Sequence, residues 1–420
     1  MSAPDQTAPE RTPRVRMLAL FAALGPGIIA ASAGNDAGGI STYSVDGASY
    51  GYATLWMIFL MTFSLVIVQE TAARMGAVTG KGFAALIRER FGVRPTLFAM
   101  IALLTSNAAT SVAEFAGIAA ALELFGVTKY VSVPIAAVVV WLLVVRGSYR
   151  RIEKLLLALS AIFISYVIAA FMAKPDWGEV LHATFVPTFI PTTGFVLIVI
   201  ATVGTTIAPW MQFFVQSNIV DKGVTAKELL YQRFDVITGA VSANVIAWFI
   251  IVTTGTVLFP RGVQITGAEQ AAQALAPVAG QYASTLFAIG LFGASLLAAF
   301  VLPLTASYAI TEAFGWERGI DRSWSEAPAF NAIYTFVIAF GAILVLIPKA
   351  PLIQIMVLSQ AVNGVLLPFL LIFMMGIVND RRIMGRFVNG KVYNFISWAT
   401  IVVVIGLTAA LLVMGVLGVG

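Results

Sequence analysis

An all-α protein that crosses a membrane many times is the fold class that the sequence predicts. Of the 420 residues, 60% are hydrophobic and only 11% are charged, and the mean hydropathy is +0.93. Soluble domains carry about 25% charged residues, so a soluble enzyme, a disordered regulator and a nucleic-acid-binding module are excluded. Two further observations agree. The apolar residues form runs of about 20, the length of a membrane-spanning helix, and the segments between these runs are alternately rich and poor in basic residues.

The apolar runs predict eleven spans, of which the first and the sixth are interrupted by glycine, proline and polar residues. In order, the predicted spans are 17–46, 52–74, 95–122, 130–146, 152–173, 193–219, 229–259, 282–311, 328–348, 352–377 and 392–417. The segment from Thr266 to Pro277 is too short to cross a membrane. We expect a loop helix there, on the outer side.

The basic residues predict the orientation. Of the 25 lysines and arginines, the predicted outer segments hold only Lys129, Lys174, Arg261 and Lys349. Because basic loops face the cytoplasm, we expect a cytoplasmic N-terminus and an extracellular C-terminus in the cell membrane. Residues 1–16 are predicted to be a cytosolic tail, since no small-residue cleavage site follows the first apolar run. Residues 17–420 are predicted to form a single transmembrane domain.

Several kinds of chemistry are excluded by residue types that are absent or rare. The chain has no cysteine and one histidine, His182, which rules out disulfides, thiolate sites and histidine-based zinc or haem sites. The net charge of +5 comes from basic residues in short loops between apolar runs, so we expect no nucleic-acid partner. We expect the lipid bilayer as the surroundings, with no cofactor and no obligate protein partner.

The two interrupted spans lie five spans apart, which is the spacing of two inverted five-helix repeats. We predict a first repeat at about 17–173, a second at about 193–377 and an extra helix at 392–417. In transporters built this way, the broken helices meet at the bilayer midplane and form the substrate site.

Each break carries residues that suit such a site. Asp36 lies about 20 residues into the first span among alanines and glycines, and an ionised carboxylate at that depth is costly unless it has a function. The alternative is a structural aspartate beside packing glycines. In the sixth span, Pro209 lacks a backbone donor, so carbonyls near Thr205 are left without partners.

The first span resembles that of the NRAMP divalent-metal transporters. The residues that carry the resemblance are Gly25, Pro26, Asp36, Ala37, Gly38, Gly39, Thr42, Gly47, Gly51, Tyr52, Leu55 and Trp56. The family signature is Asp-Pro-Gly-Asn, and this chain has Ala37 for the proline and Gly39 for the asparagine. The resemblance implies a LeuT-like fold in which Asp36 is the charged metal ligand, and Gly39 leaves room where the family has a side-chain oxygen.

The resemblance extends to three further spans, with substitutions at the functional positions. The family has Met-Pro-His in span six, where this chain has Ala208 and Trp210 around the proline. In span three the family has an aspartate and a glutamate, and this chain has Ser111 and Glu114. On span ten, Gln360 matches a glutamine near the metal, although an amide that joins helices is an equal alternative. The sequence allows two roles for Glu114, a structural role as a hydrogen-bonded acid and a role in conduction of the ion.

The resemblance therefore implies metal ligands and pathway residues by position. The metal site would comprise Asp36, Gly39, Thr205, Ala208 and Gln360, with Glu114, Trp210 and Ser111 along the pathway. A thioether selects transition metals, whereas Mg²⁺ prefers oxygen ligands and keeps several waters. Because Ala208 replaces the methionine, the chain looks like the NRAMP-related magnesium transporters. We expect import of partly hydrated Mg²⁺, and also of Mn²⁺, by alternating access without tight proton coupling.

Alternatives remain open at the level of the sequence. A proton-coupled Mn²⁺ or Fe²⁺ carrier with a divergent site is the first, and an organic-solute symporter of the same fold is the second. Asp36 opposes the second, because it would repel a substrate carboxylate. An intramembrane enzyme is disfavoured, since no paired aspartate motif, HExxH or Ser–His arrangement is present. A structural or receptor role would leave the two matched breaks unexplained.

Overall fold

The computed structural model describes residues 34–145, 161–319 and 322–417, and all regular structure in these ranges is helical. In chain order, the helices are α1 (Ala37–Tyr50), α2 (Leu55–Thr79), α3 (Phe83–Phe91), α4 (Val93–Glu123), α5 (Lys129–Val145), α6 (Ser165–Ala173), α7 (Trp177–Phe185), α8 (Thr193–Thr206), α9 (Pro209–Asp221), α10 (Leu229–Val257), α11 (Ala268–Ala272), α12 (Ala276–Ala279), α13 (Ala283–Phe314), α14 (Pro328–Val345), α15 (Leu352–Val378), α16 (Arg381–Met384) and α17 (Lys391–Leu417). The predicted tail 1–16, the first part of span 17–46 and the start of span 152–173 lie outside the described residues.

Most of the predicted spans coincide with these helices. Among the described residues, eight helical stretches are long and apolar enough to cross a membrane. The total of eleven spans stays a prediction. Residues 266–279 form only short helical pieces, including α11 and α12, which confirms the prediction of a loop helix there. The last helix, α17, carries exposed apolar side chains such as Val392, Phe395 and Leu412, as expected of a lipid-facing helix.

Two predicted span ends were wrong. Each was placed at a charged residue that ends an apolar run, but the helix continues past that residue. The first span was predicted to end at residue 46, but α1 continues to Tyr50, and Gly51 ends it with a φ of 61°. The second was predicted to end at residue 74, but α2 continues to Thr79. In both cases a charged residue, Asp46 or Arg74, marks the end of the apolar run and is nevertheless buried inside the protein.

Arg74 is buried because it completes an ionic network around Glu70. The Glu70 carboxylate pairs with Arg74 at 3.2 Å and with Arg233 of α10 at 2.7 Å. Arg74 also donates to Asn389 Oδ1 at 2.5 Å, which connects α2 to the segment before α17. Glu70 and Arg74 are four residues apart, so they lie on the same face of α2 and can pair.

Helix α1 lies in the middle of the bundle, packed on α10, α15, α8 and α4. Small residues allow these close approaches, as is common between helices in membranes. A β-carbon on Gly47 would collide with Thr254 of α10, and one on Gly117 of α4 would collide with Ala37 and Ser295. Both ends of α1 therefore pack closely against neighbouring helices.

Candidate metal site

The first break lies at Asn35 and Asp36, immediately before α1. Asp36 is the N-cap of α1, with an extended backbone (φ −77°, ψ −178°), and its Oδ1 accepts a hydrogen bond from Gly39 N at 2.7 Å. This is an ordinary N-cap geometry, in which a carboxylate satisfies one of the free amides of the first turn. Only 2% of the Asp36 side chain is exposed. The sequence-predicted charge and the helix break therefore coincide in the structure.

The second break separates α8 from α9 at Ile207 and Ala208. Ala208 has an extended backbone (φ −67°, ψ 139°), and Pro209 follows as the first residue of α9. Proline suits this position because its missing N–H would have no partner there. The same missing N–H leaves the Thr205 carbonyl without its helical donor. The break thus follows from the proline, as predicted.

Three oxygen atoms from the two breaks converge beside Gly39. A β-carbon placed on Gly39 would lie 2.8 Å from Thr205 Oγ1, 3.1 Å from the Gly34 carbonyl oxygen and 3.4 Å from Asp36 Oδ1. The Thr205 hydroxyl is buried without a hydrogen-bond partner. The structure therefore brings Asp36, Gly39 and Thr205 together, and the hydroxyl is available to a ligand.

Ala208 contributes space at the second break. Its side chain is a single methyl group, and 2% of the residue is exposed. The Ala208 carbonyl accepts a hydrogen bond from Met211 N at 3.1 Å. Because its carbonyl is engaged in this way, Ala208 contributes to the site chiefly through the small size of its side chain.

Gln360 of α15 lies directly against the first turn of α1. Its amide fills the space that a β-carbon on Gly38 would occupy. Its Oε1 accepts from Asn363 Nδ2 at 2.9 Å, and Asn363 also donates to Thr110 at 2.8 Å. The atom nearest Gly38 is Nε2, a hydrogen-bond donor, and Oε1 is engaged by Asn363, so these contacts favour the role of an amide that joins helices over that of a metal ligand.

Glu114 of α4 reaches the same turn of α1. Its Oε2 accepts from Ala37 N at 3.2 Å, while its Oε1 is buried without a hydrogen-bond partner. The contact with Ala37 supports the structural role, and the free oxygen supports a role in moving a cation. Ser111, one turn earlier, is buried with an unpartnered hydroxyl, and its backbone packs on Gly341 of α14.

Trp210, on the first turn of α9, is completely buried, and its indole N–H has no hydrogen-bond partner. Its ring meets Phe214 edge to face, with the centroids 5.9 Å apart. Indole cannot exchange a proton near neutral pH, so Trp210 acts here as packing with an unused donor.

Met211 also lies at this site, although the sequence did not predict it. Met211 packs its terminal methyl against Gly34, and its sulfur accepts from Gln69 Nε2 at 3.6 Å. Its only sequence signal is a methionine one helical turn after Ala208, which is common in apolar helices. Asp46, which is buried on α1 beyond the site, was likewise not predicted from the sequence.

The site is acidic, and the described residues place no positive side chain beside it. Among the described residues, the ion pairs involve neither Asp36 nor Glu114. A buried acid is stable when it is protonated or when a positive charge pairs with it, so a cation could take the place of a proton here. No group of three or more His, Cys, Asp or Glu side chains is found in the described parts of the chain. A cation here would therefore be held by one or two carboxylates, by neutral oxygens and by water.

Comparison with known proteins identifies related sequences along nearly the whole chain. Residues 27–414 match the family described as natural resistance-associated macrophage protein-like. The divalent metal cation transporter MntH of Bacillus subtilis is 27% identical over 400 residues, which cover 93% of this chain and 91% of that protein. MntH of Staphylococcus saprophyticus is 30% identical over 411 residues, covering 91% of this chain and 90% of that protein.

Solved structures share the fold. A manganese transporter of Eremococcus coleocola, crystallised with an aromatic bis-isothiourea compound, superposes with a TM-score of 0.79 at 21% identity, covering 97% of this chain and 88% of that one. MhsT in complex with L-phenylalanine superposes with a TM-score of 0.62 at 14% identity, covering 93% of this chain and 97% of that one. These likenesses confirm the prediction of a LeuT-like fold.

Proposed function

The chain belongs to the Nramp family. We propose that it imports Mg²⁺, and also Mn²⁺, as a partly hydrated ion. It is a divalent metal cation transporter and a multi-pass membrane protein, not an enzyme. The choice of Mg²⁺ rests on one observation above all: oxygen atoms converge beside Gly39 in a site where Ala208 supplies no sulfur.

The donor set favours a small hard cation. Asp36 supplies the one charged oxygen, and the Thr205 hydroxyl and the Gly34 carbonyl supply neutral ones. Mg²⁺ takes six oxygens and dehydrates reluctantly, so it usually keeps several waters. The small side chains at Gly39 and Ala208 leave room for those waters. Manganese shares the preference for oxygen ligands and would compete for the site.

Alternating access follows from the two breaks. The N-cap residues of α1 and α9, Asp36 and Ala208, have extended backbones. Each helix could therefore pivot at its N-cap relative to the residues that precede it. Rocking about these points would open the site to one side of the membrane at a time. We place the C-terminal end of α1 on the outer side, in keeping with the predicted cytoplasmic N-terminus.

The driving force would be the gradient of the ion and the membrane potential. Inward movement of a divalent cation is favoured by about 4.6 kcal/mol per 100 mV, twice the value for a single charge. Where the resembling family has a histidine in span six and an aspartate in span three, this chain has Trp210 and Ser111, neither of which carries a proton near neutral pH. The single histidine, His182, lies on α7, outside the broken helices. We therefore propose that metal entry is not tightly coupled to protons.

A proton-coupled Mn²⁺ carrier is the second candidate function, and two contacts favour it. The Met211 sulfur lies beside Gly34, whose carbonyl is one of the three oxygens at the site. Glu114 has a free buried oxygen that could carry a proton. The bond from Gln69 engages the sulfur, however, which weakens the case for Met211 as a ligand.

Uptake into liposomes tests the proposal. Purified protein is reconstituted, and entry of Mg²⁺, Mn²⁺ and Ca²⁺ is followed with metal-sensitive dyes for the wild type and for Asp36→Ala. We expect Mg²⁺ and Mn²⁺ to enter, and we expect Asp36→Ala to abolish both while inserting and folding normally. Equal uptake by the variant would refute the site, and entry of Mn²⁺ without Mg²⁺ would favour the second candidate.

A further inference from the structure

Asp46 is a second buried carboxylate on α1, and the metal site does not use it. It lies ten residues after Asp36, about 15 Å further along the helix axis. None of its side chain is exposed. One carboxylate oxygen, Oδ2, accepts from Thr54 Oγ1 at 2.8 Å and from Thr202 Oγ1 at 3.4 Å. The other, Oδ1, is buried without a hydrogen-bond partner.

In the parts of the chain that the structure describes, the groups around Asp46 supply no positive charge. Among the described residues, no lysine, arginine or histidine forms an ion pair with it. The titratable side chains within electrostatic reach are the phenols of Tyr43 and Tyr50 on α1 itself. The packed elements contribute hydroxyls: Thr202 from α8, Thr54 from the turn before α2, and Thr254 from α10 beside the neighbouring Gly47.

A bare carboxylate in this setting is unstable. The desolvation of an unpaired ion in a protein interior costs several kcal/mol, and two hydroxyl donors on one oxygen offset only part of that. One positive charge on the free oxygen would remove the cost. The free Oδ1 can bind a proton directly, whereas a hard monovalent ion such as Na⁺ would also need the neighbouring hydroxyl oxygens or water as ligands.

We propose that Asp46 is a second cation site, which binds one monovalent cation, a proton or Na⁺. The cation would be bound while α1 and α8 are packed together and close the outer side of the metal site. This inference rests on the proposed function, because it takes the C-terminal half of α1 to be the outer half. Opening the outer side would bring water to Asp46 and release the cation to the side from which it came. The cation would therefore set the rate of closure without crossing the membrane.

The two sites are connected through one turn of α8. Thr202, which contacts Asp46, has a carbonyl that accepts from Thr206 Oγ1 at 2.7 Å, and Thr206 in turn contacts the Tyr43 hydroxyl at 3.0 Å. Thr205, adjacent to Thr206, faces Gly39. A change in the protonation or cation binding of Asp46 would thus affect α8, the helix that carries the Thr205 hydroxyl beside Gly39.

The test is the dependence of metal uptake on external cations, with Asp46→Asn as the permanently neutral variant. Wild-type uptake should fall as external pH rises without Na⁺, by up to about tenfold per pH unit for a proton, or should rise with external Na⁺ at fixed pH. Asp46→Asn should transport metal and show neither dependence. Glu269→Gln, an exposed acid on α11, is the matched control and should behave like the wild type.

Three outcomes would overturn the proposal: a wild type that responds to neither cation, an Asp46→Asn variant that keeps the wild-type response, or a Glu269→Gln variant that loses it. If Asp46→Asn does not fold, Thr54→Val decides. It removes the 2.8 Å donor to Asp46, so the bare carboxylate is less stable and half-maximal uptake should need less of the cation; no shift would refute the site. Because each measurement is made with both Mg²⁺ and Mn²⁺, failure of the Mg²⁺ assignment does not affect the outcome.

Discussion

Replacing Gly39 with alanine places one methyl group in the oxygen-lined space beside Asp36. The new carbon would lie 2.8 Å from Thr205 Oγ1 and 3.1 Å from the Gly34 carbonyl oxygen, closer than ordinary van der Waals contact. The Thr205 hydroxyl has no partner to hold it and can turn away. The carbonyl belongs to the backbone and cannot. The methyl group therefore occupies the position that we assign to the hydrated ion.

The effect on folding should be small, and the effect on transport should be large. Overpacking by one methyl group costs about 1–3 kcal/mol, and removing a glycine from a helix returns about 0.5–1 kcal/mol. Loss of one contact to a charged group costs about 1.5–3 kcal/mol. Because 1.4 kcal/mol corresponds to a factor of ten, we expect the Mg²⁺ concentration for half-maximal uptake to rise about ten- to hundredfold.

The assay is the concentration dependence of Mg²⁺ uptake into liposomes, with thermal unfolding in detergent as the check on folding. Gly406→Ala is the matched control, since a β-carbon on Gly406 of α17 would have no neighbour within 4 Å. This control should transport like the wild type. An unchanged half-maximal concentration in Gly39→Ala would refute the placement of the ion beside Gly39.

Three further changes test other parts of the site. Ala208→Met, alone and with Gly39→Asn, should make Mn²⁺ a stronger competitor and slow Mg²⁺ uptake, because it adds a soft ligand and removes volume; uptake of Mg²⁺ equal to the wild type would contradict a roomy hydrated site. Glu114→Gln keeps an acceptor for the α1 amide, so Mg²⁺ uptake should stay within about tenfold of the wild type, and its loss would show that the charge is required. Gly204→Ala should lower stability by about 2 kcal/mol or more, seen as a lower melting temperature, because its β-carbon collides with the Gln360 carbonyl; an unchanged melting temperature would mean that α8 and α15 can separate freely.

The broken helices could be predicted because their causes are local. A carboxylate among glycines and a proline inside an apolar run each disrupt a helix wherever they occur. Asp36 and Pro209 therefore marked the breaks without knowledge of the packing. The pairing of Glu70 with Arg74 was also predictable, since residues four apart share one face of a helix.

The remaining features depend on contacts between residues distant in the chain. That Gln360 fills the space over Gly38 follows from how α15 packs on α1, which no spacing in the sequence reveals. Asp46 was missed because a charge at the end of an apolar run resembles a helix end at the water interface. Its burial depends on Thr202, 156 positions away in the sequence. Met211 was missed because methionine is ordinary in such helices.

Proton movement during Mg²⁺ uptake tests the central claim most directly. Liposomes containing the wild-type protein would carry a Mg²⁺ dye and a pH dye in the lumen, with an inward Mg²⁺ gradient and an inside-negative potential. We predict that Mg²⁺ enters, that entry increases with the potential, and that the lumen does not acidify. A stoichiometric acidification that follows Mg²⁺ entry and disappears in Glu114→Gln would contradict uncoupled transport and establish a proton-coupled carrier instead.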